Sequence, residues 1–454
     1  MSVEEPSLPV SAPEAKTILL GFQGKDIPSA AVIQACVHCG LCLPVCPTYL
    51  ETGRETSSPR GRILLIKAVS EGQIGLDSAV FQREMSLCLD CRACEVVCPN
   101  GVRYGRLLEA SREQLERFKT QFKPRPWWQK LLRKVVFEEL FAKPLLFQMF
   151  SQLLAIYQKS GFQQLARQSG LLQSLKVQEA EALLPIFSED FLVPKGQIYP
   201  AEGKRRFTVA LLTGCVMSTA FAQVHKATIR VLQKNGCEVI LPPDQTCCGA
   251  LHFHSGLLEE GRALAKQNII TFTGLGVDAI IVNAAGCGST LKEYGHLLAD
   301  DPLWQARAKS FTAKVKDIHE FLGEIDLNRA DLGHLPLIVT YQEPCHLAHA
   351  QRLTSQPRAL LTAIPGLTLR EMPESSVCCG SAGVYNLLQP VMAQQLGQRK
   401  VRHALATGAN VIATANPGCA LQLAAELKRQ GQTVQIHYIV ELLAEAYQSG
   451  QKQG

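Results

Sequence analysis

From residue 207 to the C-terminal region, short apolar segments alternate with longer amphipathic ones. The apolar segments are FTVALLTGC, CEVILP and DAIIVNAAGC, followed by LPLIVTYQEPC, LTLREMP and NVIATANPGC. Between the first three, helical patterns are predicted at about 218–234, 257–274 and 287–298. Strands that alternate with helices in this way are typical of parallel, doubly wound α/β sheets. The C-terminal half is therefore predicted to be α/β.

The N-terminal part has a mainly helical pattern. Ser58 can cap and Pro59 can begin a helix over SPRGRILLIKAVSEG, and a second helix is predicted from about Ser78 to Leu87. Residues 1–28 are rich in Pro, Ser and Glu and are predicted to form a flexible lead.

Residues 124 to about 180 predict amphipathic helices that are interrupted near Pro144. The longest uncharged run, 144–158, is shorter than the roughly 20 residues that a helix needs to cross a bilayer. Basic flanks, Trp127 and Trp128, and an apolar face leave two interpretations open. The stretch is a linker packed on its own domain, or it lies on a membrane or a partner protein.

Composition limits the class of protein. A length of 454 residues suggests about three domains, and 46% hydrophobic with 19% charged residues is ordinary for a soluble globular chain. The start MSVEEPSLPVSAPEAK has no apolar segment that would mark it for export. The 17 cysteines are therefore interpreted as thiolate ligands in a reducing cytoplasm, not as a disulfide framework.

Eight of these cysteines fall into two copies of the spacing C-x2-C-x2-C-x3-C-P. The first copy is ACVHCGLCLPVCP and the second is LCLDCRACEVVCP. The cysteines are Cys36, Cys39, Cys42 and Cys46, then Cys88, Cys91, Cys94 and Cys98. This spacing is the bacterial ferredoxin run, which binds 4Fe–4S clusters. The sequence therefore predicts two such clusters.

In two-cluster ferredoxins, the fourth cysteine of each run binds the other cluster. We expect cluster 1 to be held by Cys36, Cys39, Cys42 and Cys98, and cluster 2 by Cys88, Cys91, Cys94 and Cys46. A pair of zinc sites is the alternative, but it explains neither the third cysteine of each triplet nor the two prolines. Arg60 and Arg62 follow the first run; we expect them to be solvated, and the alternative is that they lie near a cluster and raise its potential.

The α/β half contains an internal repeat with its own cysteines. Each copy has a cysteine after a strand, a C-C-G triplet, and a last cysteine after another strand: Cys215, Cys247, Cys248 and Cys287, then Cys345, Cys378, Cys379 and Cys419. The intervals are 32 and 33 residues to the pair, then 39 and 40 to the last cysteine. Ligand sites in open α/β sheets form at the carboxyl ends of strands. We expect each set of four to lie together and treat all eight as candidate metal ligands.

Two further predictions concern side chains near these cysteines. Cys237 has no counterpart in the second copy and is assigned to the core. The four nearby histidines are expected to be hydrogen-bonded locally and not to be ligands: His252, His254, His346 and His349.

With these motifs, and stretches such as CPNGVRYG and CCGSAG, the chain resembles the iron–sulfur subunit of bacterial glycolate oxidase along nearly its whole length. More distant resemblances are to the C-C-G subunits of heterodisulfide reductase, anaerobic glycerol-3-phosphate dehydrogenase and lactate utilisation systems. In the heterodisulfide reductase relatives the third element is C-x-x-C. Here Ala284 and Asn416 replace its first cysteine, so the unusual non-cubane cluster of those relatives lacks a ligand.

The resemblance implies a subunit of a hetero-oligomeric, flavin-dependent glycolate (2-hydroxy acid) oxidoreductase that acts on CH–OH donors. FAD would lie on a partner subunit that oxidises glycolate to glyoxylate, and this chain would pass electrons to a quinone or another acceptor. It would have no substrate site and no catalytic residue of its own. The expected location is the cytoplasm, with peripheral contact to the inner face of the membrane as an option. A lactate, glycerol-3-phosphate or heterodisulfide oxidoreductase subunit is the alternative.

The residues themselves disfavour two other classes of function. The nearest approach to a dinucleotide fingerprint, Gly274-Leu-Gly276, precedes a strand where a Rossmann turn would follow one, so we expect no flavin or nicotinamide site. Between residues 101 and 135, ten Lys or Arg face three Glu, a local charge of +7. Nucleic acid is not expected as a partner because no nucleic-acid motif accompanies this charge.

We therefore divide the chain into five parts. These are a lead (1–28), a two-cluster ferredoxin-like domain (29–123), an amphipathic helical linker (124–204), repeat 1 (205–330) and repeat 2 (331–454).

Overall fold

The computed structural model describes residues 21–174, 177–187 and 190–451. Most of the predicted flexible lead, residues 1–20, lies outside the described residues. The described part consists of a helical N-terminal domain, a helical linker and two sheets covered by helices. The predicted fold class is confirmed: a mainly helical N-terminal domain followed by a duplicated α/β domain.

The two-cluster domain contains six α-helices and a 3₁₀ turn at Glu55–Ser57. The helices are α1 (Ala30–Gln34), α2 (Pro47–Thr52), α3 (Pro59–Ser70), α4 (Ala79–Leu87), α5 (Ala93–Val96) and α6 (Tyr104–Phe122). Both predicted helix starts are confirmed, since Ser58 accepts a hydrogen bond from the Gly61 amide and Ser78 accepts one from the Phe81 amide. The apolar faces of α3, α4 and α6 form one core between the two cysteine runs.

The linker is helical and sharply bent, as the Pro144 interruption predicts. Its elements are α7 (Trp127–Arg133), a π-helical segment (Lys134–Leu140), α8 (Pro144–Lys159), α9 (Phe162–Gln168), α10 (Leu171–Ser174) and α11 (Gln178–Ala182). The axis turns by 109° between 127–140 and 144–159. Within the described residues, no single helix is long and apolar enough to span a bilayer; by length and composition alone, this bent pair together is.

Repeat 1 contains five strands and the helices that connect them. They are β1 (Ile198–Tyr199), β2 (Phe207–Leu211), α12 (Val216–Thr219), α13 (Ala222–Lys234), β3 (Cys237–Ile240), α14 (Ala250–His254), α15 (Leu258–Phe272), β4 (Ala279–Val282), α16 (Ala285–Leu297), α17 (Gln305–Lys314), β5 (Val315–Asp317) and α18 (Ile318–Glu324). The strand order is β1-β3-β2-β4-β5, with β1, contributed by the end of the linker, as the antiparallel edge.

Repeat 2 contains four parallel strands. Its elements are β6 (Ile338–Tyr341), a π-helical turn (His346–Ala350), α19 (Ser355–Thr362), β7 (Thr368–Arg370), α20 (Tyr385–Leu388), α21 (Pro390–Ala406), β8 (Val411–Thr414), α22 (Pro417–Arg429), β9 (Gln435–Tyr438) and α23 (Ile439–Gln451). The order β7-β6-β8-β9 is that of β3-β2-β4-β5, so the two sheets share one topology.

The two repeats pack so that the carboxyl ends of their central strands meet. The Ala285 amide donates to the Ala415 carbonyl over 3.1 Å, and the Gly286 amide donates to Asn416 Oδ1 over 3.1 Å. A shared apolar core continues from one sheet to the other through α13, α18, α19 and α23. Because cysteines follow these strand ends in both repeats, the two sets of four are brought to one region.

Candidate metal centres

The first cysteine run surrounds a small cavity together with part of the second run. Cys36, Cys39, Cys42 and Cys98 line this cavity of about 40 Å³, and so does Cys94. The first four are the ligands predicted for cluster 1. Because the cavity also contains a predicted ligand of cluster 2, crossed ligation stays a prediction.

The second cluster site is more deeply buried. Burial raises the pKa of the Cys94 thiol, and the charges of Cys91, Cys88 and Cys46 raise it further. Cys46 also contributes to the raised pKa of Cys91. Cys46 therefore lies within electrostatic reach of the other three predicted ligands of cluster 2.

Both runs turn their cysteines inward through residues with positive φ at matching positions. In the first run His38 and Gly40 have φ of 55° and 88°, and in the second Asp90 and Arg92 have φ of 52° and 61°. These residues occupy matching positions between successive cysteines. Left-handed residues reverse the alternation of an extended chain, so side chains on either side point to the same centre.

The prediction that Arg62 is solvated is wrong. Its side chain is 1% exposed, with Nε donating to the Glu84 carbonyl at 2.9 Å and Nη2 to Thr48 Oγ1 at 3.0 Å. Nη1 lies 4.0 Å from Cys46 Sγ. The burial is tolerated because Glu84 and the cysteine supply negative charge. A fixed cation beside Cys46 would raise the potential of a cluster bound there.

Arg60 differs from Arg62 in its surroundings. It is partly exposed, pairs with Glu55 over 2.6 Å, and donates to the His38 carbonyl in the first run over 3.0 Å. Arg60 also lines the cavity of the first run, so it is partly solvated and lies beside the predicted cluster 1 site, as the alternative had it.

In each repeat the structure brings the four cysteines together. In repeat 1, Cys215 and Cys247 have their sulfurs 3.8 Å apart, and Cys247 and Cys287 are both close enough to Cys248 to raise the pKa of its thiol. We call these four the repeat 1 quartet.

The repeat 2 quartet has the same arrangement. Cys345 and Cys378 have their sulfurs 3.9 Å apart, and Cys378 and Cys419 are both close enough to Cys379 to lower the pKa of its thiol. The turn after the adjacent pair needs Gly380, which has φ of 90° and whose added Cβ would lie 2.5 Å from the Ala393 carbonyl oxygen. The glycine of each C-C-G triplet is thus required by backbone conformation.

The thiols of each adjacent pair have pKa values shifted in opposite directions. Hydrogen bonds with neighbouring thiols, followed by burial, raise the pKa of Cys248 and of Cys378. Hydrogen bonds from Cys215 and Cys248 lower the pKa of Cys247. In each adjacent pair, one thiol therefore ionises more readily than the other. Four converging sulfurs fit a zinc ion or an ordinary cubane cluster, both of which accept four thiolates.

In the heterodisulfide reductase relatives, a C-x-x-C element supplies a fifth sulfur to each set. Here Ala284 and Asn416 stand at the first position of that element. Ala284 is buried and offers no ligand atom. Asn416 donates to Cys419 Sγ over 3.6 Å and accepts from the Gly286 amide of repeat 1. Asn416 therefore links the two repeats.

Both quartets line one cavity of about 480 Å³. The linker closes another side of it with apolar residues: Leu140, Phe141, Phe147, Phe150, Leu154, Leu183 and Leu184. Leu89, from the second ferredoxin-type run, and the imidazoles of His254 and His346 complete the wall. The cavity thus adjoins the two-cluster domain, the linker and both repeats.

A buried charge network at this junction was not predicted from the sequence. Arg92, 3% exposed, pairs with Asp90 at 2.9 Å, Glu109 at 3.0 Å and Glu293 at 3.0 Å. His254 Nδ1 lies 3.0 Å from Asp90 and 3.3 Å from Glu109. The only sequence signal is an arginine inside a cysteine run, because the partners are up to 201 residues away.

The four histidines are hydrogen-bonded, as expected. His346 donates from Nε2 to the Asp90 carbonyl over 2.8 Å, and His252 and His349 bond backbone carbonyls over 2.9 and 3.0 Å. Cys237 is fully buried in the shared core, where burial raises its pKa to about 12. Its assignment to the core is confirmed.

The fold and these sites define a class of protein: a two-cluster ferredoxin-like domain joined to paired C-C-G domains. Family models match in the same order, as a 4Fe-4S dicluster domain at 32–102, a linker region of the glycolate oxidase iron-sulfur subunit at 128–184, and a cysteine-rich domain at 209–292 and 339–424. The chain belongs to the family of glycolate oxidase iron–sulfur subunits.

Three relatives illustrate the similarity. The chain is 44% identical to a probable glycolate oxidase iron-sulfur subunit of Bacillus subtilis (strain 168), over 90% of this chain and 93% of that protein. It is 35% identical to the glycolate oxidase iron-sulfur subunit of Escherichia coli (strain K12), with the same coverage of 90% and 93%. Lactate utilization protein A of Shouchella clausii is 33% identical over 52% of this chain and 98% of its own length.

Crossed ligation predicts which single substitutions disturb the same cluster. Cys98→Ser should disturb the same paramagnetic signal as Cys36→Ser, because both residues are predicted ligands of cluster 1, and should leave the signal lost in Cys91→Ser. Paramagnetic resonance of the dithionite-reduced variants measures this. Cys237→Ser is the matched control and should retain both signals. If Cys98→Ser resembles Cys91→Ser, each run binds its own cluster.

The surroundings of His254 predict that the free energy of unfolding depends on pH. Burial alone would lower its pKa, but hydrogen bonds to Asp90 and Glu109 raise the pKa to about 9. Since this is above the ordinary 6.5, its stabilisation is complete below about pH 6.5 and is lost as the pH rises through about 9. Anaerobic urea unfolding should show the wild-type advantage over His254→Asn falling by up to about 3 kcal/mol across this interval. Parallel pH profiles would contradict this.

Proposed function

We propose that this chain is the electron-transfer subunit of a complex that oxidises glycolate or a related 2-hydroxy acid. A flavin-bearing partner would remove two electrons from the CH–OH group, and this chain would carry them to a quinone or another acceptor. The observation that carries the proposal is the contact between the second ferredoxin-type run and the repeat 2 quartet. Iron–sulfur clusters, when bound, accept and release single electrons.

That contact is direct and buried. The charge of Cys345 in the repeat 2 quartet contributes to the raised pKa of Cys91, and the carbonyl of Asp90 accepts the hydrogen bond from His346. Tyr385 donates from its hydroxyl to the Leu87 carbonyl over 3.0 Å. Residues of the run and of repeat 2 share a small apolar core. The predicted cluster 2 site is therefore built against the repeat 2 quartet.

The exposure of the cysteines indicates a direction of electron transfer. Cys39 in the first run is exposed, and the neighbouring Val37 and Leu41 are 62% and 54% exposed. In the second run, Cys88 and Cys94 are buried. Electrons are proposed to enter at the first run, where a partner can approach, and to leave from the quartets.

The flavin is assigned to a partner subunit. Gly274 and Gly276 lie in the connection from α15 to β4, before the strand, where they cannot form a Rossmann phosphate turn. The lactate utilization relative is similar over half of this chain, which makes a lactate-oxidising complex the second candidate. In either complex, this chain would contribute the electron path and no 2-hydroxy acid site.

The linker is proposed to rest on a membrane surface. Helix α8 packs Phe147 and Ser151 inward, with Ser151 Oγ 3.3 Å from Thr219 Oγ1. Its opposite face leaves Leu145, Met149, Leu153 and Ile156 at least 53% exposed, and Trp127 in α7 is 76% exposed. The exposed Lys130 and Lys134 flank this surface. An apolar face with tryptophans and basic residues suits an anionic lipid surface.

The subunit assignment predicts that the isolated chain oxidises no 2-hydroxy acid. Purified flavin-free protein should reduce an artificial dye with neither glycolate nor lactate, because it has no hydride acceptor. A tagged chain should copurify with a flavoprotein, and that complex should reduce the dye. Dye reduction by the isolated chain would contradict the assignment, and so would copurification with no flavoprotein.

The membrane assignment predicts loss of lipid binding when the exposed face becomes polar. Leu145 and Leu153 are 67% and 65% exposed, whereas Leu303, 80% exposed, lies outside the linker. The double variant Leu145→Gln, Leu153→Gln should bind anionic phosphatidylglycerol vesicles at least about tenfold more weakly, since each leucine buries apolar area in the bilayer. Leu303→Gln is the control. Equal sedimentation of both variants with vesicles would contradict the assignment.

A further inference from the structure

We infer that the two quartets have different roles. The repeat 2 quartet holds a redox-active iron–sulfur cluster that receives electrons from the predicted cluster 2, and the buried ammonium of Lys400 raises the potential of that acceptor. The repeat 1 quartet lies outside this path. The assignment rests on the proposed function and identifies the quartet that serves it. It follows from a difference between equivalent positions of the two repeats.

The duplicated fold makes helices α15 and α21, which follow the two C-C-G triplets, directly comparable. The fourth residue of each helix packs on the glycine of its triplet. A Cβ added to that glycine would lie 3.4 Å from the Gly261 carbonyl oxygen in repeat 1 and 2.5 Å from the Ala393 carbonyl oxygen in repeat 2. The eleventh residue is Asn268 in α15 and Lys400 in α21. Asn268 and Lys400 therefore occupy equivalent positions.

Both side chains are buried and bind the backbone around their triplet. Asn268 donates from Nδ2 to the Cys247 carbonyl over 3.0 Å. Lys400 donates from Nζ to the carbonyls of Glu374 and Ser375 over 2.5 and 3.0 Å. Because the neutral amide of Asn268 holds its loop without a charge, holding the loop does not by itself explain a buried cation in repeat 2.

The charge of Lys400 has no carboxylate partner among the residues that the structure describes. The nearby carboxylate of Glu374 pairs with Arg399 over 2.7 Å. Burial lowers the pKa of Lys400, and the charges of Cys379 and two other thiols of the repeat 2 quartet oppose this shift. A buried cation without a counter-charge is costly. The quartet with its bound group is an anion and supplies that counter-charge.

The two quartets also differ in how they pack against the ferredoxin-type domain. Cys345 and Cys378 of repeat 2 share one apolar core with Leu89 and Cys91 of the second run. The four cysteines of repeat 1 instead pack into a core that consists, among the described residues, of repeat 1 side chains and Ala142 of the linker. An electron that leaves cluster 2 therefore meets the repeat 2 quartet first.

Each transfer moves one electron and no proton. Reduced cluster 2 is oxidised by one electron and the cluster in the repeat 2 quartet is reduced by one, so two transfers carry the two electrons that the flavin partner removes from a 2-hydroxy acid. Reduction adds negative charge to a thiolate-bound cluster, and the fixed charge of Lys400 stabilises this more negative state. Zinc has no redox chemistry, so the role requires iron in the repeat 2 quartet.

The test measures midpoint potentials of the intact, anaerobically purified chain by redox titration followed with paramagnetic resonance. Cys379→Ser identifies the signal of the repeat 2 quartet and Cys91→Ser that of cluster 2; we expect the repeat 2 signal to have the higher potential. Lys400→Gln removes the charge and should lower the equilibrium constant for electron transfer from cluster 2 about tenfold, which corresponds to about 59 mV. Lys400→Arg keeps the charge, and Lys428→Gln removes an exposed charge of the same repeat. Both should change this constant less than about twofold.

An unchanged potential in Lys400→Gln would overturn the inference, and so would a repeat 2 quartet that binds zinc or no metal. Should Lys400→Gln lose iron, the wild-type chain decides alone: a repeat 2 signal at or below the potential of cluster 2 refutes the assignment. Dye reduction by the complex with glycolate or lactate tests the proposed function separately. A complex that reduces the dye with either acid, while Lys400→Gln leaves the potential unchanged, retains the proposed function and refutes the role of Lys400.

Discussion

Arg92 is a buried cation held by carboxylates from separate parts of the chain. Asp90 belongs to the second cysteine run, Glu109 to α6 of the same domain and Glu293 to α16 of repeat 1. Removing one partner of a buried ion pair costs roughly 3–5 kcal/mol, because the remaining charge stays in a low-dielectric interior. The three carboxylates therefore hold the cysteine run in one position relative to repeat 1. Asp90 extends the constraint to repeat 2 through the hydrogen bond of its carbonyl with His346.

This constraint explains how three separate groups of sulfurs form one arrangement. Electron transfer needs carriers that lie close together, whereas the predicted ligands of cluster 2 and the two quartets come from three parts of the chain. The α/β repeats place each quartet at strand ends, and Asn416 joins those ends. The charge network then sets the ferredoxin-type loop against them. The single cavity is a consequence of this convergence.

The cysteine spacings and the alternation of strands and helices were sufficient to predict the fold class, the duplicated unit and the gathering of each quartet. Such features depend on periods and intervals within one segment. The burial of Arg62 could not be predicted in the same way, since its compensation by Glu84 and Cys46 depends on tertiary packing. Likewise the partners of Arg92 and the shared cavity join residues more than 100 positions apart. The strands β1, β5 and β9 were not predicted either, because they are short and have little apolar periodicity.

The central claim is that this chain is an iron–sulfur electron carrier built around two ferredoxin-type clusters. Iron and zinc analysis of the anaerobically purified intact chain, together with its absorption spectrum before and after dithionite, tests it most directly. The account predicts a brown protein with at least about eight iron atoms per chain, colour that bleaches on reduction, and no zinc at the ferredoxin-type runs. A colourless protein that carries zinc and does not respond to dithionite would contradict it.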